Sequence, residues 1–302
     1  MIKDFEELLK KAKEKKGVVV GVPAPEDVIS INTIIKSKKE NIADFILCGN
    51  RDKIIKLIKS NGGNEKDFEI INSFSQEDSA SKIVKLAREK RVQVILKGFL
   101  STSKLLKPTL DKEKGLRTGN LFSDILFVEN PGDNYDGLLG MTDGGVNILP
   151  DLIQKKQMIE NAVKAFHKLG YERPKVGILT AKETVNEKMP ATIDARELYE
   201  MNKRGEIKGC DVYGPIALDI AVSPEAAKHK GITNPVAGHV QIMVVPNIEA
   251  GNIFGKSFTY YLKIPVGHVI MGAKIPILIP SRNESDIDKL NSVALGVIIA
   301  EN

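Results

Sequence analysis

The sequence predicts an α/β protein with two domains, each built on a mainly parallel β-sheet. The chain has 302 residues, whereas a single domain usually holds ~100–150. Short apolar runs alternate with helical patterns in the first half, and this alternation is typical of a parallel sheet covered by helices. The alternation is interrupted in the middle of the chain and then resumes, which indicates a second domain.

The first half contains four predicted strands, each followed by a predicted helix. The strands are GVVVGVP (17–23), ADFILCG (43–49), FEIINS (68–73) and VQVILKG (92–98). The helices are 26–39, 51–62, 75–91 and the helix-like stretch 101–110. Isoleucine and leucine recur at helical spacing in 51–62. Ser75, with Asp78 three residues later, resembles an N-cap.

The pattern changes at residues 121–148, where NPGDN joins two strand-like runs and so favours an antiparallel pair. Further strands are predicted at 174–181, 240–246, 265–271 and 275–279, and helices at 151–171, 194–206, 251–262 and the C-terminal segment. Turns are expected at Gly214-Pro215 and Ser223-Pro224. We place the domain boundary near residue 135 and expect the last helix to return to the first domain. The predicted domains are therefore 1–135 plus 285–302, and 136–284.

Composition limits the function classes. The formal net charge of +5 fits an anionic small-molecule substrate but not a nucleic-acid binder, and the absence of Trp argues against base stacking. Cys48 and Cys210 are distant and form no CxxC motif. No apolar run reaches the ~20 residues of a membrane span, and no signal-peptide pattern is present. We expect a cytoplasmic protein without a membrane or nucleic-acid partner.

The familiar motifs for phosphate loops, metal sites, dinucleotide binding and serine hydrolases are absent or lie in the wrong structural context. AGNIFGKS (250–257) loosely resembles a phosphate loop, but it follows its strand too late and has a helical apolar rhythm. PIALD (215–219) is only a loose metal-aspartate candidate. The sequence contains no GxGxxG, GxSxG or HExxH motif, and its four histidines show no paired spacing. No metal site is predicted.

Polar and charged side chains that could bind or transform a ligand follow two of the predicted strands. PNIEAGN (246–252) places Asn247, Glu249, Gly251 and Asn252 after a strand, where open α/β sheets bind ligands. Its ordinary interpretation is a strand-to-helix turn capped by Asn247.

PSRNES (280–285) also follows a predicted strand. In its ordinary interpretation Ser281 caps the last helix and Arg282 is solvated. In its functional interpretation Arg282 grips phosphate with its planar fork, and the Ser281 hydroxyl contacts a carbonyl oxygen as that oxygen gains charge. Asp288, seven residues after Ser281, could act as a general base. Together these groups describe acyl transfer involving phosphate.

Several segments resemble the phosphate acetyl/butyryltransferase family. The resemblance lies in PNIEAGN, GAKIPILIPSRNES (272–285), KLNSVALG (289–296), GPIALDIAVSPEAAKHKG (214–231) and LLKPTLDKEKGLRTG (105–119). The last two are most similar to the butyryl branch. The resemblance implies two α/β domains flanking a cleft, as in the isocitrate/isopropylmalate dehydrogenases. It also implies exchange of an acyl group between coenzyme A and phosphate, with coenzyme A as substrate and no cofactor.

The resemblance also implies roles for single residues. Ser281 and Arg282 match the family's Ser-Arg pair, and Asp288 falls where the acetyl branch carries the carboxylate that deprotonates the coenzyme A thiol. Butyryl-type relatives need no acid at that position. Lys107 stands where the acetyl branch has an arginine before a proline. The positive charge is kept, but the planar guanidinium that can bind an anion through two hydrogen bonds is lost. A homodimer is implied as well.

Three functions remain open at this stage. The first is butyryl transfer between coenzyme A and phosphate, and the second is transfer of an acetyl or another short or branched acyl group. The third is a protein that binds coenzyme A or phosphate on this fold without catalysis.

Overall fold

The computed structural model describes residues 1–132, 134–281 and 284–301. It divides the chain into two compact units, which we call the split unit and the central unit. The split unit is Phe5–Asn120 with Gly267–Asn302, and the central unit is Met1–Asp4 with Leu121–Val266. Strands and helices are numbered along the whole chain, with a short 3₁₀ turn at Glu65–Asp67 left unnumbered.

The split unit alternates strands and helices before its chain leaves for the central unit. Its helices are α1 (Phe5–Glu14), α2 (Val28–Lys39), α3 (Arg51–Ser60), α4 (Gln76–Arg88), α5 (Thr102–Thr109) and α11 (Asp286–Ile299). Its strands are β1 (Val19–Pro23), β2 (Asp44–Gly49), β3 (Glu69–Asn72), β4 (Val94–Leu96), β10 (Val266–Met271) and β11 (Ile277–Leu278). The predicted N-cap is confirmed, since the Ser75 hydroxyl accepts a hydrogen bond from the backbone N–H of Asp78.

The sheet of the split unit has the order β3-β2-β1-β4-β11-β10. The pairs from β3 to β11 are parallel, and β10 is antiparallel to β11. The chain runs from β1 outward to β2 and β3 on one side, and then crosses to β4 on the other side. The carboxyl ends of β1 and β4 therefore form a topological switch point, where open α/β sheets bind ligands.

The central unit is a second α/β unit. Its strands are β5 (Ser123–Glu129), β6 (Leu138–Thr142), β7 (Lys175–Leu179), β8 (Asp211–Ile216) and β9 (Ile242–Val244). Its helices are α6 (Leu152–Lys168), α7 (Pro190–Lys203), α8 (Leu218–Val222), α9 (Pro224–His229) and α10 (Ile248–Ser257), which continues into a π-helical turn, Phe258–Leu262.

The sheet of the central unit has the order β5-β6-β9-β7-β8. Strands β5 and β6 are antiparallel, as the sequence predicted, and the remaining pairs are parallel. The turn predicted at Gly214-Pro215 is wrong, because β8 continues through both residues and absorbs an irregular register against β7. At Ser223-Pro224 the serine caps α9 and the proline occupies its first turn.

The units change at residues 120 and 266, whereas the sequence placed the boundaries at 135 and 284. Strand β5 falls with the central unit because it pairs with β6. Strand β11 falls with the split unit because it pairs with β4. Helix α11 lies in the split unit, where it packs against α1 and α2. Of the helices in the described part of the chain, none is long and apolar enough to cross a membrane.

Candidate active site

The residues singled out from the sequence fall into two sets, one in each unit. Ser281, Asp288 and Lys107 belong to the split unit, and Arg282 lies outside the described residues. The other set follows β9 in the central unit.

In the split unit, Ser281 and Glu284 lie just beyond β11, and we call this hydrogen-bonded pair the Ser281 turn. Strand β11 ends at Leu278, and the Ser281 side chain is exposed. The Ser281 backbone N–H donates to Oε1 of Glu284 over 2.8 Å, and the Glu284 N–H donates to the Ser281 carbonyl over 3.2 Å. Two opposed hydrogen bonds therefore fix the backbone that carries the serine hydroxyl.

Glu284 ties this turn to the rest of the split unit. Its side chain is only 8% exposed, and its Oε1 lies 3.5 Å from Nε2 of His268 on β10. The Lys289 ammonium of α11 donates to the Glu284 carbonyl oxygen. Neither Glu284 nor Lys289 stood out in the sequence, because a carboxylate and a lysine beside a helix start look like ordinary surface charges.

Asp288 is buried at the start of α11, with 4% exposure. Its Oδ2 accepts hydrogen bonds from the Ser285 backbone N–H at 2.9 Å and from the Ser285 hydroxyl at 2.7 Å. The Ser285 hydroxyl in turn accepts from the Asp288 N–H, which completes a capping box. Ser285 is the N-cap, so the ordinary interpretation of Ser281 as the helix cap is wrong.

A pocket of about 260 Å³ opens at the topological switch point of the split unit. It is lined by the end of β4 and the residues after it, by the residues that follow β11, and by the first turns of α2 and α11. The lining residues are Asp27, Val28, Ile29, Ser30, Thr33, Leu96, Lys97, Gly98, Phe99, Pro280, Ser281 and Lys289. The pocket thus brings the Ser281 turn together with two lysines from different parts of the sequence.

Lys97 could have been found from the sequence, because it stands at the carboxyl end of a predicted buried strand (92–98). Val28 and Ile29 could not, because two apolar residues at a helix start resemble ordinary core positions. Lys107 is exposed on α5 and does not line the pocket.

In the central unit, Asn247 caps α10. Its side-chain oxygen accepts a hydrogen bond from the Ala250 N–H over 3.0 Å, as the ordinary interpretation of PNIEAGN expected. Glu249 and Asn252 are exposed on the first turns of the helix, and Nδ2 of Asn252 donates to the Gly144 carbonyl over 3.2 Å. The phosphate-loop look-alike AGNIFGKS lies inside α10, which confirms its rejection.

Gly251 is buried where α10 crosses the turn that follows β6. A Cβ atom at this position would lie 2.5 Å from the carbonyl oxygen of Asp143 and 2.9 Å from Cα of Gly144. The absence of a side chain at Gly251 therefore serves a contact between two backbone segments of the central unit.

Asp143 organises that turn. Its Oδ1 accepts from the N–H groups of Gly145 and Val146, and its Oδ2 accepts from the Asp124 N–H and the Asn147 amide. Burial, with a smaller contribution from the carboxylate of Asp124, raises the pKa of Asp143 to about 6 in spite of these hydrogen bonds. Asp143 does not stand out in the sequence, because TDGG looks like an ordinary turn. In the described part of the chain, no three His, Cys, Asp or Glu side chains are grouped so as to hold a metal ion.

Comparison with known proteins gives one consistent family. The model of the phosphate acetyl/butaryl transferase family matches residues 78–297. A curated phosphate butyryltransferase of Clostridium acetobutylicum is 40% identical over 302 residues, which cover 100% of both chains. The crystal structure of a branched-chain phosphotransacylase from Enterococcus faecalis has a TM-score of 0.83 at 29% identity, covering 94% of this chain and 99% of that one.

A more distant structure identifies the wider fold group. The 4-hydroxythreonine-4-phosphate dehydrogenase of Klebsiella pneumoniae has a TM-score of 0.57 at 14% identity, covering 94% of this chain and 99% of that one. This likeness concerns the fold alone and agrees with the dehydrogenase-like α/β architecture implied by the sequence. The family match and the identity along the whole chain lead to one conclusion: the chain belongs to the phosphate acetyl/butaryl transferase family.

Proposed function

We propose that the protein transfers a butyryl group reversibly between coenzyme A and inorganic phosphate. The observation that carries the proposal is the Ser281 turn, which lies in one pocket with Lys97 and Lys289 at the switch point of the sheet. The name of the Clostridium acetobutylicum relative supports butyryl as the acyl group. The family description, which covers acetyl and butyryl transfer, keeps acetyl and other short or branched chains as the alternative.

In the forward direction, an oxygen of bound phosphate attacks the carbonyl carbon of the acyl-CoA thioester. The C–S bond breaks as the new C–O bond is completed, and coenzyme A leaves as a thiolate that takes up a proton. In reverse, the thiolate attacks the acyl phosphate and phosphate leaves. Transfer is direct within a ternary complex, so no acyl group is attached to the enzyme.

The residues of the split unit receive roles that follow from their chemistry. Arg282 holds phosphate through its planar fork. The Ser281 hydroxyl donates to the carbonyl oxygen as negative charge develops on it. Lys97 and Lys289 add positive charge beside two anionic reactants, which lowers their mutual repulsion. Asp288 accepts the proton of the coenzyme A thiol in the reverse direction and returns it in the forward direction.

The remaining predicted residues keep their proposed role in substrate binding, each within its own unit. Lys107 is exposed and can pair with a phosphate of coenzyme A as a point charge. Glu249 and Asn252 are exposed at the start of α10, while Asn247 and Gly251 shape that helix start from within.

A thiol-release assay tests the function. Acetyl-, propionyl-, butyryl- and isobutyryl-CoA are each incubated with the protein, with and without phosphate and with and without a chelator. We expect phosphate-dependent release of coenzyme A, fastest with butyryl-CoA and insensitive to the chelator. Arg282→Ala should raise the KM for phosphate and lower kcat.

The competing class is a non-catalytic protein that binds coenzyme A or phosphate on the same fold. Binding of butyryl-CoA without any phosphate-dependent release would favour that class and overturn the proposal. Fastest release with acetyl-CoA would keep acyl transfer and overturn only the butyryl preference.

A further inference from the structure

The pocket beside Ser281 has an apolar side that is partly exposed to solvent. Val28, Ile29 and Phe99 line it, and their side chains are 47%, 45% and 44% exposed. Leaving a large apolar side chain in water forgoes ~1.5–3 kcal/mol of burial free energy. Three such side chains around one pocket are typical of a binding site for an apolar group.

The helix side of this pocket does not suit an anion. Helix α2 begins at Val28, and its N-cap is the carboxylate of Asp27, which accepts hydrogen bonds from the Ser30 N–H at 2.9 Å and the Ser30 hydroxyl at 2.6 Å. The negative charge of Asp27 already occupies the positive end of the helix, so a phosphate group there would be repelled.

The hydroxyl groups on the helix side are engaged within α2. Ser30 donates to Asp27, and the Thr33 hydroxyl donates to the Ile29 carbonyl over 3.1 Å. A ligand on this side therefore meets mainly apolar atoms and finds few hydrogen-bond partners.

The side of the pocket formed by the strand ends is polar and positively charged. Ser281 and Lys289 come from β11 and α11, and Lys97 from the end of β4, where its ammonium donates to the Leu100 carbonyl over 3.3 Å. A hydroxyl and two cationic side chains suit a carbonyl oxygen that gains charge and the phosphate that attacks it. The ligand that fits both sides has a polar reacting end and a short apolar tail.

We propose that the pocket holds the acyl chain of the substrate, and that Val28, Ile29 and Phe99 determine the preferred chain length. A volume of about 260 Å³ is large against the ~30 Å³ of one water molecule in the liquid, so a chain of four or five carbon atoms fits. This inference rests on the proposed function, because it takes Ser281 as the contact of the reacting carbonyl.

The pantetheine arm of coenzyme A is the other apolar group that could enter. Its two amides need hydrogen-bond partners, and leaving them unpaired in a pocket is costly. Because the hydroxyl groups of α2 are already engaged, the acyl chain is the better occupant.

The test measures binding first, so that it does not depend on turnover. Dissociation constants of coenzyme A, acetyl-CoA and butyryl-CoA are determined by titration calorimetry for the wild type and for Ile29→Phe, which fills the pocket. The wild type should bind butyryl-CoA more tightly than coenzyme A, and Ile29→Phe should abolish this difference. The matched control is Ile193→Phe on α7, where the isoleucine is 44% exposed and lies outside the pocket.

The kinetic arm compares acyl chains within each variant. Ile29→Phe should lower kcat/KM for butyryl-CoA at least ~10-fold relative to acetyl-CoA, since one methylene changes discrimination ~10- to 200-fold. Ile29→Ala and Val28→Ala should shift the preference toward hexanoyl-CoA, and they keep the test valid if the phenylalanine variant does not fold.

Each outcome decides between specific alternatives. If Ile29→Phe weakens the binding of coenzyme A and of every thioester equally, the pocket holds pantetheine and the inference is overturned. Unchanged kcat/KM ratios between acyl chains in all three variants would overturn it as well. A wild type that binds the thioesters in the expected order but releases no coenzyme A supports the pocket and overturns the proposed function.

Discussion

Asp288 combines two tasks, because the carboxylate proposed as the base also closes the capping box of α11. We expect Asp288→Asn to lower turnover ~10²-fold or more in both directions, since an amide cannot accept the proton. Raising the pH should partly restore attack by coenzyme A, because more thiolate is then present in solution. Initial rates from both directions across a pH series provide the measurement.

Ser285→Ala is the matched control, because it removes the other half of the same capping box. Loss of an N-cap costs ~0.5–2 kcal/mol of stability, and thermal unfolding of both variants measures it. Equal kinetic losses in Asp288→Asn and Ser285→Ala would assign Asp288 to the cap alone, as would wild-type turnover by Asp288→Asn at every pH.

Glu284 accepts a hydrogen bond from the Ser281 backbone N–H, so we propose it as a positioning residue for Ser281. Glu284→Ala removes the acceptor of the Ser281 N–H and should lower kcat/KM by on the order of 10- to 100-fold, because small displacements of a catalytic group are costly. Glu284→Gln keeps an oxygen acceptor and should restore most of the activity. Steady-state kinetics of both variants test this, and equal losses would show that the charge of Glu284 matters rather than its hydrogen bond.

At the scale of elements, α10 offers a paired test of close packing. Gly251 and Gly255 both lie inside this helix, so alanine at either position gains ~1 kcal/mol of helix propensity. At Gly251 the new methyl group meets backbone atoms of Asp143 and Gly144, whereas at Gly255 it meets only the ends of the Leu126 and Met141 side chains at 3.1 Å.

We therefore expect Gly251→Ala to destabilise the protein by about 1–2 kcal/mol, because overpacking costs ~1–3 kcal/mol and outweighs the gain in propensity. Gly255→Ala should be neutral or stabilising. Denaturant unfolding monitored by circular dichroism measures the free energy of unfolding of both variants. If Gly251→Ala is as stable as the wild type, the turn at Asp143 can move to accommodate the new methyl group.

The sequence predicted elements whose pattern is local. The strands of the split unit up to β4 were found from their apolar runs, and the β5–β6 pair from its polar turn. It did not reveal that β11, with two residues, pairs with β4, because such a pairing joins segments more than 180 residues apart. The unit boundary at residue 266, rather than the expected 284, follows from this pairing.

The same distinction holds for the site. Ser281 was found because a polar residue directly after a strand is visible in the sequence. The apolar lining from Val28, Ile29 and Phe99 was not found, because only the folded chain shows that these side chains remain exposed.

At the scale of the whole molecule, the family resemblance predicts a homodimer. Helix α10 and the π-helical turn after it carry four exposed apolar or aromatic side chains, namely Ile253, Tyr260, Tyr261 and Leu262, which are 72%, 60%, 87% and 54% exposed. Tyrosine and other large apolar side chains are enriched in protein interfaces, and exposed apolar patches of this kind mark interaction sites.

We expect a dimer in sedimentation velocity at micromolar concentration, and Tyr261→Asp should shift the protein toward the monomer. Ile193→Asp, which places the same charge on another exposed apolar position, should leave the dimer intact. A monomeric wild type would contradict the prediction, and an unchanged dimer in Tyr261→Asp would place the interface elsewhere.

The split unit has a consequence for the order in which the protein folds during synthesis. Residues 5–120 leave the ribosome first, but the strand that pairs beside β4 and the helix that packs on α1 and α2 belong to residues 267–301. The intervening residues 121–266 take roughly 7–30 s to synthesise at ~5–20 residues per second. During that interval the central unit can complete its own sheet. In the split unit, β4 remains unpaired on the side where β11 will later lie. Nascent chains are therefore most open to aggregation or chaperone capture before residues 267–301 appear.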